Sequence, residues 1–340
     1  FILLQPPVLR EPPNIVGTEL EKYVDKNTIF ACHFYDGFSL MYKTWNEYFN
    51  VDTLGIMRGK SPIFSLKFGE TSIRKSIRKQ LREMKQEVRS HVGKHVGLIF
   101  SEIGMPFDMN NKKSYYEENP KLYASQLKAM DAIMYALEGS NLSFSLWCYC
   151  HRNSHKWGDD WNNEDFSIWS PDDLDVNAKA QSLIKYQGIS NSLMKVSDEE
   201  NAIIKDMGYV CDSTDEINYD GIRALSSLLR PFPMRLGGRF VKSEFNGGRY
   251  FLALKGPISK KEEQAEATSY IFLPQYHFPL ENIDINKSSG SFTYYSRYQV
   301  LQWDHNPVGL QYLKITKKTS DAEGVASINI DDNSNKCIIT

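Results

Sequence analysis

The sequence has no run of eighteen or more apolar residues, so it offers no candidate for a membrane-crossing helix. It has little charge excess: the net charge is -2, which removes the usual reason to expect a nucleic-acid partner. Cysteine is scarce, and Cys32, Cys148, Cys150, Cys211 and Cys337 form an odd, scattered set. They match neither a disulfide framework nor a zinc-ligand spacing, and they point to a reducing, intracellular setting. Cys148 and Cys150 read as two small buried thiols at a strand end rather than metal ligands. No metal and no cofactor is expected. Apolar residues make up 41% and charged residues 24% of 340 positions, enough to build a sizeable core. Aromatics are abundant at 13%, suiting a β-rich core or a surface that stacks on sugar rings.

The stretch around which the chain is organised is Leu98-Ile99-Phe100-Ser101-Glu102-Ile103-Gly104-Met105-Pro106. Its apolar start reads as a buried strand. Glu102 appears where that run ends, and Gly104 and Pro106 break regular structure just after it. A carboxylate at the C-terminal end of a parallel strand is where barrel enzymes carry catalytic groups, although a single strand-end acid is also compatible with an inert loop edge.

Around it, residues 1–8 read as a buried strand and residues 10–27 as a proline-rich loop. Thr28–Tyr35 forms a second strand, with His33 and Tyr35 on one face because they lie two apart. An irregular insert with Trp45, Arg58 and Gly59-Lys60 occupies residues 38–71. Residues 72–91 form a helix, with Ile73, Ile77, Leu81, Met84 and Val88 on its apolar face. Its other face (Arg74, Lys75, Arg78, Lys79, Arg82) reads as solvated, with a phosphate or membrane patch as the alternative. A second helix spans 120–138 and a further strand Leu142–Trp147. Strands separated by helices imply a parallel sheet of βα units.

Residues 151–170 are polar and aromatic, and read either as a carbohydrate-contacting loop or as an ordinary one. Apolar anchors Leu183, Ile184, Leu193, Ile203 and Ile204 suggest helical connections over 171–229. From Arg230 to Thr316 short β-prone runs alternate with turn signals such as Asn246-Gly247-Gly248, the cadence of a β-sandwich. Residues 317–340 are expected to form a flexible tail. Its last four residues, Cys337-Ile338-Ile339-Thr340, have the form of a prenylation signal apart from the final Thr.

The wording Ser101-Glu102-Ile103-Gly104-Met105-Pro106-Phe107-Asp108-Met109 resembles the nucleophile strand of glycoside hydrolase family 5, in its fungal endoglycoceramidase-related branch of sterylglucosidases and glucosylceramidases. The strand with His33-Phe34-Tyr35, the tryptophan Trp147, the loop His155-Lys156-Trp157-Gly158-Asp159-Asp160-Trp161-Asn162 and Arg230-Pro231-Phe232-Pro233 carry the same resemblance. It implies an α/β plus all-β chain: strands 5 to 8 of a (β/α)8 barrel over residues 1–229, then a β-sandwich over 230–316. It also implies a retaining β-glucosidase for which Glu102 is the nucleophile and must be ionised, with Tyr35 donating a hydrogen bond to it. His33 would orient the sugar or the acid/base group. Trp147 would floor the glucose site, and Asn153, His155, Trp157, Asp160 and Trp161 would contact sugar hydroxyls. The glycolipid substrate is expected to be a sterylglucoside, with glucosylceramide as the alternative, and a non-catalytic lipid- or sugar-binding module as the other class. The family's Asn-Glu-Pro acid/base motif does not occur; Glu118-Asn119-Pro120 is a scrambled helix start. The expectation is therefore a fragment of a longer protein, or a chain complemented by a partner, and no turnover from these residues alone. Location is expected to be intracellular, cytoplasmic or vacuolar, with peripheral membrane contact through Cys337.

Overall fold

The computed structural model describes residues 1–116, 123–174, 219–256, 267–296 and 298–318. Cys211, Cys337, Glu118 to Pro120, Leu183, Ile184, Leu193, Ile203, Ile204 and nearly all of the expected tail lie outside them. Among the described residues no helix is long and apolar enough to cross a membrane.

The first layer is a parallel sheet of order β1-β2-β5-β6, formed by β1 (Ile2–Leu4), β2 (Thr28–Tyr35), β5 (Gly97–Gly104) and β6 (Ser143–Leu146). Between β2 and β5 the chain makes three short helices, α1 (Gly37–Tyr42), α2 (Thr53–Met57) and α3 (Pro62–Ser65), and a two-stranded hairpin of β3 (Phe49–Val51) and β4 (Leu66–Phe68). The insert read as irregular is thus locally regular. Each of its first two helices is started by an aspartate, Asp36 accepting from Ser39 N–H and Asp52 from Gly55 N–H, which satisfies orphan first-turn donors.

The long helix α4 (Glu70–His91) buries Ile73, Ile77, Leu81, Met84 and Val88, as their spacing predicts. Glu70 lies in its first turn and Arg89 and His91 in its last, matching the helix dipole. Its basic face is not simply solvated. Arg74 pairs with Asp131, Arg78 sits 3.5 Å over the Tyr135 ring and bonds the Tyr135 carbonyl, and Arg82 bonds the Gly139 carbonyl. These cations dock α4 onto α6 (Ala124–Ser140); Lys75 and Lys79 remain exposed. Helix α6 is buried on nearly every side, from Ala129 to Leu137, as expected for a helix covered by α4, the sheet and the next layer together. The expected helix start at residue 120 is corrected to Ala124. The short α5 (Met109–Tyr116) opens on left-handed residues Asn110 to Lys112.

Two further expectations for this layer change. The segment at residues 1–8 pairs as a strand over Ile2–Leu4, but Ile2 and Leu3 are 62% and 57% exposed, β1 being an edge strand that the other described residues leave uncovered. Cys148 and Cys150 are half-buried, each thiol directed at Asp159, rather than fully buried.

The second layer is all antiparallel. One sheet has order β12-β13-β10-β7, from β7 (Phe232–Arg235), β10 (Ala267–Phe272), β12 (Ser291–Tyr295) and β13 (Val300–His305). The other has order β11-β14-β9-β8, from β8 (Arg239–Asn246), β9 (Arg249–Lys255), β11 (Ile283–Lys287) and β14 (Leu310–Lys317). Leu252, Leu254, Leu313 and Ile315 of the second meet Ile271, Leu301 and Trp303 of the first in one core. Arg230 joins the layers: its buried guanidinium binds Glu138 and Asp131 and stacks on Phe245.

His277 packs on Phe245, with Nε2 3.0 Å from the Ser226 carbonyl. Burial, aided by Lys317, pulls its pKa down to about 4. Between roughly pH 6.5 and that value the unfolded chain carries a proton on this imidazole that the folded chain does not. The free energy of unfolding, and with it the stability, should fall as pH drops through this window, by on the order of 3 kcal/mol. Urea unfolding at several pH values should show the loss, and His277→Gln should reduce the slope; an unchanged slope would refute the assignment.

Candidate active site

Strand β5 is apolar and central, and the irregular feature in it is a bulge. Its register with β2 runs Cys32↔Phe100 and then His33↔Glu102, skipping Ser101, and its register with β6 also shifts between Phe100 and Ile103. A bulge re-aims the side chains beside it. Here it places Glu102 opposite His33, next to Tyr35. His33 Nδ1 lies 3.0 Å from Glu102 Oε2, and the Tyr35 hydroxyl donates to Oε1. His33 Nε2 in turn lies 3.0 Å from the Gln5 amide nitrogen, at the end of β1. An amide N–H can only donate, so Nε2 accepts and the imidazole proton sits on Nδ1, facing the carboxylate. Glu102 is then an acceptor with two donors aimed at it, the arrangement that stabilises an ionised carboxylate. Burial, and then the bond to Glu102, push the Tyr35 phenol well above its ordinary range, so it stays a donor.

Gly104 allows β5 and β6 to close up beyond Glu102. A Cβ there would stand 2.2 Å from the Trp147 carbonyl oxygen, so only glycine fits. Trp147 follows β6, and its N–H bonds the Ile103 carbonyl at 2.9 Å, which puts this half-buried residue beside the same strand end.

The expected sugar loop is built differently from its sequence reading. Asn153 is 1% exposed and its amide bonds Asp159 and Asp165, so it holds the loop together. His155 stacks on Tyr115 at 4.2 Å between ring centroids and lies 3.2 Å from Asp173, so its ring is also engaged inside the protein. Trp157 and Trp161 are 66% and 65% exposed, and Asp160 reaches Arg152 at the surface. Among the described residues none of these five bonds, pairs or stacks with Glu102, His33 or Tyr35. Nor is any group of three or more His, Cys, Asp or Glu side chains placed to hold a metal ion among the described residues.

What sequence reading missed is the buried scaffold under this loop. Arg223, fully buried, bonds Asp165 Oδ1 at 2.6 Å and the Ser167 carbonyl, and sits 4.2 Å over the Phe107 ring. Tyr115 donates to the other oxygen of Asp165. Asp159 accepts from the N–H groups of Phe166 and Ser167. The scaffold delivers Phe166 edge-on to the Tyr35 ring, 5.5 Å between centroids. Arg223 lies more than fifty residues from its partners, so no local pattern signals it. Gln5 was findable, since it ends a strand on the same sheet edge as Glu102.

Residues 230–316 match the family model described as the glycoside hydrolase family 5 C-terminal domain. The whole chain is 44% identical to an ergosteryl-β-glucosidase of Saccharomyces cerevisiae, of which it covers 46%. It is 35% identical to a glucosylceramidase of Aspergillus fumigatus, over 93% of the chain and 44% of that protein. The structure superimposes on sterylglucosidase 1 of Cryptococcus neoformans with a TM-score of 0.72 and 30% identity, over 93% of the chain and 41% of its counterpart. The chain is thus similar over nearly all of its length to these three proteins, and its residues 230–316 to that family 5 C-terminal domain. It spans under half the length of the curated relatives it matches.

Arg223→Ala would leave the buried Asp165 without its cation, held only by the neutral donors Asn153 and Tyr115. It should destabilise the protein by about 3–5 kcal/mol and lower its thermal midpoint in calorimetry; a stability within error of wild type would show that the scaffold does not depend on this pair.

Proposed function

We propose that this chain carries the nucleophile of a retaining β-glucosidase that cleaves glucose from a glycolipid, a sterylglucoside in first place. The observation that carries the proposal is the Glu102 carboxylate at the C-terminal end of a parallel strand, with donors from His33 and Tyr35. In the proposed reaction Glu102 attacks the anomeric carbon and forms a covalent glucosyl-enzyme. A second carboxyl group, roughly 5–5.5 Å away, protonates the leaving oxygen and then activates water. Tyr35 and His33 orient the nucleophile through their bonds to its two oxygens, and Trp147 offers an aromatic face beside the strand end. The four parallel strands are read as strands 5 to 8 of a (β/α)8 barrel over residues 1–229, and the two antiparallel sheets as a β-sandwich over 230–316.

A lipid aglycone is supported by the insert that starts directly after Tyr35. Met41, Tyr42, Tyr48, Phe64 and Phe68 are exposed there. Ergosteryl glucoside takes precedence because the relative with that activity in its name has 44% identity, while the named glucosylceramidases have 35% or less. Glucosylceramide remains the second reading.

In the full-length protein, Glu102→Gln should abolish glucoside hydrolysis while leaving the fold intact by circular dichroism. Persistent activity would remove Glu102 from the nucleophile role, and inactivity of the wild type on both glycolipids would favour a binding module. Tyr35→Phe should lower kcat/KM about 10- to 100-fold, the cost of one bond to a charged group. Comparing ergosteryl glucoside with glucosylceramide in matched micelles tests the aglycone, and a clear ceramide preference would reverse the order.

A further inference from the structure

We propose that the groove between the C-terminal ends of α4 and α6 and the first residues of β8 binds a phosphate-bearing anion. The groove has a volume of about 580 Å³ and opens on the sheet edge opposite Glu102, since α4 and α6 end where β5 and β6 begin. Arg82, Lys85 and Arg89 of α4 and Arg239 of β8 line it, and no carboxylate does among the described residues.

The acids of α4 nearest in sequence are committed elsewhere, Glu83 to Lys79 and Glu87 to Arg58. Arg82 and Lys85 are partly committed too. They bond the carbonyls of Gly139, Ser140 and Asn141 and so build the wall of the groove. Arg89 and Arg239 are exposed and have no hydrogen bond or ion pair among the described residues. Burial, and then repulsion from Arg89 and Arg82, pull the Lys85 ammonium below its ordinary pKa. Four like charges converging without a counter-charge are unfavourable unless a ligand supplies one.

Ser140 provides a second, independent observation. Ser140 lines the same groove and is 6% exposed, and its hydroxyl oxygen, buried just behind the wall, has no partner. A buried hydroxyl without a partner is costly and fits a site whose ligand supplies the missing bond. On the far wall, the register irregularity between Phe240 and Lys242 leaves Val241 at the lip. Guanidinium forks and a hydroxyl suit the several oxygens and multiple charge of a phosphate group better than a single carboxylate.

The inference does not depend on the glucosidase reading. Its test is titration of the full-length protein with inorganic tripolyphosphate, and separately co-sedimentation with phosphatidylcholine vesicles with and without phosphatidylinositol 4-phosphate. Saturable binding is expected, weakening as salt rises and about tenfold or more in an R89A/R239A variant. Because neither arginine side chain makes a hydrogen bond or ion pair among the described residues, the melting temperature of that variant should match wild type. Binding of tripolyphosphate alone identifies a soluble phosphate as the source, and added binding to the charged vesicles identifies a lipid headgroup; each supports the site if the variant loses it. Binding of neither probe, or binding that the double variant retains undiminished, would overturn the proposal.

Discussion

A half-buried carboxylate at the end of a central apolar strand is the constraint on which the rest of the first layer depends. Partial burial takes water away from Glu102, and donors from the neighbouring strand replace it. The bulge at Ser101 turns it towards β2, where the two-residue period of a strand puts His33 and Tyr35 on one face. The demand then passes outward. His33 needs an acceptor-side partner and has Gln5, while the Tyr35 ring needs a wall and has Phe166. Three adjacent strands therefore end in one hydrogen-bonded row, Gln5–His33–Glu102–Tyr35.

The loop after β6 behaves as part of that site's foundation rather than as a free flap. Asp159 and Asp165 point inward and act as acceptors for backbone N–H groups, Asn153 and Arg223. Acidic residues in such a loop would ordinarily face water. Here they replace the regular hydrogen bonding that an irregular chain path gives up, and they deliver Phe166 to the tyrosine that touches the carboxylate. Gly104 makes the same contribution from the strand side, by lacking the Cβ that would collide with the Trp147 carbonyl.

The two layers are joined through α6. Its inner face covers the parallel sheet, its flank takes the arginines of α4, and its acidic pair Asp131 and Glu138 receives the buried Arg230 at the entry to the antiparallel sheets. An arginine stripe that reads as a solvated face is in this way divided. Arg74, Arg78 and Arg82 become helix-docking groups, while Lys85 and Arg89 towards the end of α4 line the groove beside β8.

The sequence by itself determined the elements whose cause is local: the α4 helix from its three-and-four spacing, the strands at Thr28 and Gly97 from their apolar runs, the antiparallel cadence after Arg230, and the pairing of His33 with Tyr35 on one face. It also singled out Glu102, because one carboxylate ending an apolar run is visible in the order of residues. Four β-strands are not legible in it: the short pair Phe49–Val51 and Leu66–Phe68 inside the insert, Phe232–Arg235, hidden by its proline, and Ile283–Lys287, whose alternation is too polar to stand out. What only the tertiary structure decided was the fate of polar groups whose partners are distant along the chain. The partners of Asn153 and His155 are Asp159, Asp165 and Asp173, which nothing in the local order of residues announces, and Arg223 looks like any surface cation until it is found fully buried. Periodicity reports which face of an element is apolar, but a charge or amide is placed by whichever partner relieves its desolvation, and that partner is chosen by the fold.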